Sequence, residues 1–119
     1  MLETIMPHVV VETASYQNAV KNIWDDDEQS DFKNYIATHP YAGDIIPGTN
    51  GIRKIRWHSS GRGKRGGARV IYYIYDDNNP LYLLFAYPKN IQADLTNADK
   101  KAFSTRVTQL KNIFREKKG

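Results

Sequence analysis

Apolar residues recur along this chain with two different periods, and each change of period marks an element. His8–Thr13 (HVVVET) is a β-branched run and predicts a first strand. From Ser15 the period becomes helical: Tyr16, Ala19, Val20 and Ile23 share a stripe, which predicts a short amphipathic helix to about Trp24. Asp25-Asp26-Asp27-Glu28 then supplies carboxylates where a second helix begins, and negative charge suits the unpaired N–H groups there. Phe32, Tyr35 and Ile36 form its buried stripe, and Pro40 stops it near His39.

Tyr41–Gly51 contains Gly43, Pro47, Gly48 and Asn50-Gly51 and reads as a loop with tight turns. Alternation follows. In Ile52–His58, Ile55 and Trp57 point one way and Lys54, Arg56 and His58 the other, a half-buried strand with a cationic outer face. After a basic, glycine-rich loop at Ser59–Gly67, Ala68–Tyr75 alternates again, with Val70, Tyr72 and Ile74 opposite Arg69, Ile71 and Tyr73. Asp76–Pro80 is a turn, and Leu81–Tyr87 (LYLLFAY) is almost continuously apolar, as a central strand covered on both faces would be. Thr96 and Asp99 have capping-box spacing before a last helix whose stripe is Phe103, Val107, Leu110 and Phe114, running to about Arg115.

The order β, α, α, β, β, β, α predicts an α+β fold. We expect an antiparallel sheet of about four strands, with two N-terminal helices and a C-terminal helix packed against one face. The other face would then display Lys54, Arg56, His58 and Arg69. At 119 residues this is one domain, 1–119.

Charge adds an asymmetry to this picture. Residues 1–50 hold two Lys/Arg against eight Asp/Glu, whereas 51–119 hold fifteen against five. Between Gly51 and Tyr75 stand seven cations (Arg53, Lys54, Arg56, Arg62, Lys64, Arg65 and Arg69) and no carboxylate. A basic hairpin of this kind fits a polyanion. The absence of cysteine excludes disulfides and thiolate metal sites and fits a reducing compartment. No apolar run approaches the roughly 18–20 residues needed to span a bilayer. Met1–Val11, with Glu3 and no basic leader, does not read as a signal peptide, so a cytoplasmic protein without a membrane partner is expected.

Gly61-Arg62-Gly63-Lys64-Arg65-Gly66 spells G-x-G-x-x-G, but it lies between two strands and opens no helix, which excludes a dinucleotide fingerprint. Lys64 is followed by Arg65 rather than Ser or Thr, which excludes a Walker A loop. What survives is simpler: glycines let backbone N–H groups approach phosphates while Arg62, Lys64 and Arg65 neutralise them, unless the loop only solubilises the surface. Arg69 starts a strand with no acidic neighbour in sequence and could grip a phosphate bidentately. Lys54 and Arg56 either bind an anion or are ordinary exposed strand cations. His58, alone among histidines in the basic half, is either a proton shuttle or a surface residue. Lys89 emerges at a strand end. Trp57, Tyr72, Tyr73, Tyr75 and Tyr87 could stack on bases, though sheet packing accounts for most of them more simply. Three histidines without a carboxylate cluster make no metal site.

Gly48–Thr96, with R-K-I-R, G-K-x-G-G-x-R-V-I-Y-Y, L-Y-L-L and Y-x-K-N followed by D-L-T, resembles the HigB-type branch of the RelE/ParE toxin superfamily. That resemblance implies a small toxin of a type II toxin–antitoxin module that cleaves mRNA, usually in the ribosomal A site, without a metal or other cofactor. The ribose 2′-hydroxyl attacks the adjacent phosphate, leaving a 2′,3′-cyclic phosphate and a 5′-hydroxyl. The implied partners are the ribosome, mRNA and a cognate antitoxin, often of helix-turn-helix type. The family's basic strand residues match Lys54 and Arg56, its arginine before the hydrophobic-hydrophobic-Tyr stretch matches Arg69, and its lysine after the last strand matches Lys89.

Two departures leave the proton-transfer groups open. Asn90 stands where RelE has an arginine, and Ile91–Leu95 offers no counterpart to a downstream tyrosine. Lys89, His58 and Tyr87 are the candidates in their place, while Arg53, Arg62, Lys64 and Arg65 are candidate contacts to message or ribosomal RNA. Two other functions fit the same fold: a non-nucleolytic gyrase inhibitor of ParE type, and an inactive RNA-binding relative.

Overall fold

Successive residues of the fourth strand bury against different helices, and this sandwiching sets where the cations emerge. The computed structural model describes residues 6–58, 67–89 and 95–118. The order is β1 (Val10–Glu12), α1 (Ala14–Val20), α2 (Asp26–Thr38), β2 (Asp44–Ile45), β3 (Arg53–Trp57), β4 (Ala68–Ile74), β5 (Leu81–Pro88) and α3 (Asn97–Lys118). The sheet runs β1-β5-β4-β3-β2. Pairing is antiparallel except for the edge strand β1, which lies parallel to β5.

The sheet therefore has five strands and is mixed, where about four antiparallel ones are expected from sequence. The helices also divide between its two faces. Tyr16 and Val20 of α1 and Phe32 and Ile36 of α2 pack on Val70, Tyr72, Leu81 and Leu83. Val107, Leu110 and Phe114 of α3 pack on Ile71, Tyr73, Leu84 and Tyr87. Both faces of β4 and β5 are thus covered, which is why their sequences are so apolar.

Local chemistry fixes the helix starts. Thr13 caps α1, its hydroxyl accepting from the Tyr16 N–H while donating to the Leu83 carbonyl. Asp25 and Glu28 form a reciprocal capping box for α2, at 2.8 and 3.1 Å. Thr96 and Asp99 do the same for α3, as their spacing predicts.

The nearly unbroken apolar run of β5 hides an irregularity. Tyr72 pairs with Leu83 and Ile71 with Phe85, so Leu84 is an extra residue on β5. From Phe85 onward the bulge inverts the alternation and carries Tyr87 to the α3 side, opposite Arg69.

The two-residue strand β2 lies within the segment expected to be only loop, and a buried phenol holds it. The Gly43 N–H donates to Tyr72 Oη at 2.8 Å, and the Tyr72 hydroxyl donates to the Pro40 carbonyl at 2.9 Å. Burial raises the Tyr72 pKa against the lowering by the Gly43 N–H and the Arg53 charge, which keeps the phenol a donor. A Cβ at Gly43 would stand 2.8 Å from the Tyr72 ring, so a side chain there would push β2 off the sheet. The far end of the β2–β3 hairpin is anchored to α3. Asn50, in the left-handed region at φ 66°, donates to Thr108 at 3.0 Å and accepts from Lys111 at 2.7 Å. Among the described residues no helix is long and apolar enough to cross a membrane.

Tyr72→Phe removes both hydrogen bonds and leaves the Gly43 N–H buried without that acceptor. It should lower unfolding free energy by about 1–3 kcal/mol in urea titrations; a change below ~0.5 kcal/mol would show that the phenol does not hold β2.

Candidate active site

Lys54 and Arg56 lie two residues apart on β3 and so project to one face, the α3 side of the sheet. Register places Arg56 directly opposite Arg69 on β4, and Arg69 opposite Tyr87 on β5. One row across three strands therefore reads Arg56, Arg69, Tyr87. In the neighbouring row Asp44 of β2 faces Lys54, which faces Ile71. With strands ~4.8 Å apart and same-face residues ~6.7 Å apart, the three cations spring from a patch that a single phosphodiester can bridge. Asp44, Lys54, Arg56 and Arg69 line one open cleft of about 280 Å³.

This patch is not a helix-free face, as sequence reasoning expects. It is the strip of the α3-covered face that α3 leaves open, at β3 and the adjoining end of β4. Arg56 is exposed and Arg69 half-buried, so one guanidinium can follow a ligand while the sheet holds the other. Like charges directly opposite one another on neighbouring strands destabilise a sheet. An anion between them reverses that cost.

Residues 47–118 match the family described as the RelE toxin of the RelE/RelB toxin–antitoxin system. The chain belongs to the RelE toxin family. Its fold is similar to the structure of a double arginine-to-alanine mutant of Escherichia coli toxin RelE in the free state. The TM-score is 0.54 at 12% sequence identity, over 85% of this chain and 97% of that one. In this member of the RelE family, Lys54, Arg56, Arg69 and Lys89 all fall within the matched segment, whereas Asp44 precedes it.

The remaining candidates are placed unequally. Tyr87 is 3% exposed and packs near Phe85, beside Arg69 but in the core under α3. His58 and Lys89 are exposed at neighbouring strand ends, either side of Gly67: the Lys89 N–H donates to the Gly67 carbonyl, and a Cβ at Gly67 would lie 3.7 Å from the His58 Cβ. Arg53 turns to the opposite face. Its guanidinium donates to the carbonyls of Gly43, at 2.6 Å, and Tyr41, at 3.3 Å, and lies over the Tyr41 ring, which ties down the turn before β2. Arg62, Lys64, Arg65 and Asn90 lie outside the described residues.

The aromatic candidates are mainly packing. Trp57 meets Phe32 and Tyr35 of α2, Tyr75 meets Phe114, and Tyr72 and Tyr73 are buried. Among the described residues no cluster of histidine and carboxylate side chains could hold a metal ion. The cleft residue that sequence reasoning misses is Asp44. Its only local signal is the Ile45-Ile46 pair after it, too short to announce a strand.

Arg56→Gln removes one of the two opposed charges. The same variant should lose most of the stabilisation that pyrophosphate gives the wild type. Equal pyrophosphate shifts in both proteins would remove Arg56 from the anion site.

Proposed function

We propose that this chain is a HigB-type toxin that cleaves mRNA on the ribosome without a metal. The observation that carries this reading is the convergence of Lys54, Arg56 and Arg69 on one cleft. In transfer to a neighbouring 2′-oxygen, phosphorus passes through a five-coordinate state with charge on its non-bridging oxygens. Three cations on a rigid sheet are preorganised to hold that charge. The 2′-oxygen bonds to phosphorus, the P–O5′ bond breaks, and the products are a 2′,3′-cyclic phosphate and a 5′-hydroxyl. His58 and Lys89, exposed at the strand ends, are the groups proposed to supply the proton to the departing 5′-oxygen.

The reading brings partners with it. Growth of a host requires that such a nuclease be neutralised, and the partner proposed is a small cognate antitoxin of helix-turn-helix type. The site of action is the cytoplasm, where translating ribosomes present the message. The basic segment 59–66 is proposed to supply sequence-independent grip on RNA backbone through Arg62, Lys64 and Arg65.

With purified ribosomes, primer extension should show cuts at fixed positions within codons that persist in EDTA. Intact message together with blocked DNA supercoiling would instead favour the gyrase-inhibitor reading. Arg69→Ala should lower cleavage by roughly 100–1,000-fold and abolish growth arrest while the far-ultraviolet circular dichroism stays that of the wild type. Full toxicity of this variant would contradict the clamp. Lys64→Glu combined with Arg65→Glu should weaken ribosome binding and flatten its salt dependence; an unchanged salt slope would exclude this segment from the contact.

A further inference from the structure

Among the described residues Asp44 is the one carboxylate lining the cationic cleft, and neither the resemblance nor the matched family segment gives it a role. It is exposed, sits at the edge of the sheet, and shares a face with Lys54 by direct cross-strand pairing. Much of the hairpin serves to fix its backbone. Gly43, immediately before it, is pinned by Tyr72 at 2.8 Å, Arg53 clasps the Gly43 carbonyl at 2.6 Å, and Asn50 ties the far end to α3. The described cations of the cleft can hold charge, but none of them, while protonated, can accept a proton.

We infer that Asp44 is the base that takes the proton from the attacking 2′-hydroxyl; this rests on the ribonuclease reading above. The sheet supplies the spacing that an in-line reaction needs. Asp44 lies level with Lys54, and His58 follows Lys54 by four residues, or about 13 Å along an extended chain. Between these two levels stand Arg56 and Arg69. A phosphate gripped by the two arginines has Asp44 towards one end of the cleft, with His58 and Lys89 towards the other. Attacking and leaving oxygens lie on opposite sides of phosphorus in such a displacement, so base and acid belong at opposite ends. As the 2′-oxygen bonds to phosphorus, its proton passes to an Asp44 carboxylate oxygen. The P–O5′ bond breaks, and the 5′-oxygen takes a proton from the imidazolium of His58 or the ammonium of Lys89.

Opposite charges paired across strands, as Asp44 and Lys54 are, can also serve stability alone, and the test separates the two roles. Single-turnover cleavage of a reporter mRNA on purified ribosomes is measured for the full chain, Asp44→Asn and Asp44→Glu, together with ribosome affinity and melting temperature. A base role predicts that Asp44→Asn lowers the cleavage rate by roughly 100–10,000-fold. Affinity should be unchanged or tighter, since a negative charge has left a cationic cleft, and Asp44→Glu should recover part of the rate. An Asp44→Asn rate within threefold of wild type overturns the inference, as does a loss explained by weaker binding or by a lowered melting temperature. Absence of cleavage by the wild-type chain would instead remove the ribonuclease reading itself.

Discussion

Two arginines facing each other across antiparallel strands are the constraint around which this structure is arranged. Arg56 and Arg69 occupy opposed positions on β3 and β4, an arrangement of like charges that a sheet disfavours. It is tolerated because the surrounding sheet is buried on both sides, and rigid for that reason. Ile71 and Tyr73 on the α3 side, and Val70 and Tyr72 on the other, anchor β4 in two cores at once. A guanidinium on such a strand loses little further entropy when it meets an anion. In the proposed complex, one phosphate between the two guanidinium groups would answer both charges at once.

The periphery shapes this cationic patch. The bulge at Leu84 turns Tyr87 to the side of Arg69, so the row that begins with two charges ends in a buried ring. The phenol of Tyr72, reaching through to Gly43 and Pro40, sets a two-residue strand against β3 and brings Asp44 beside Lys54. Helix α3 covers the apolar part of the face and, through Asn50, holds the hairpin in place. Packing on both faces thus determines which polar groups share the open strip.

Much of this was legible in the residues. Alternation alone placed Lys54 and Arg56 on one face of β3 and Arg69 on a matching face of β4, and the Thr96/Asp99 spacing fixed the start of α3. Short-range patterns did not reveal features that depend on distant partners. Strand β2 exists because Tyr72, twenty-nine residues away, donates and accepts at its entry. The bulge is invisible within LYLLFAY because every residue there is apolar on either parity. The side on which α3 packs follows from burial of Ile71 and Tyr73, and an expected single helical layer left those residues uncovered. Asp44 carried no motif, so only the folded hairpin could bring it to the cations. Arg53, equally basic in sequence, falls on the opposite face by strict alternation and serves the turn instead.

Lys54, Arg56 and Arg69 are proposed to hold one phosphodiester together. A crystal structure of the chain with a short RNA blocked by 2′-deoxy substitution at the reacting ribose tests it most directly. One backbone phosphate should lie within ion-pair distance of all three side chains, with the blocked ribose towards Asp44. An RNA whose phosphates meet these cations one at a time, or that follows another surface altogether, would contradict it.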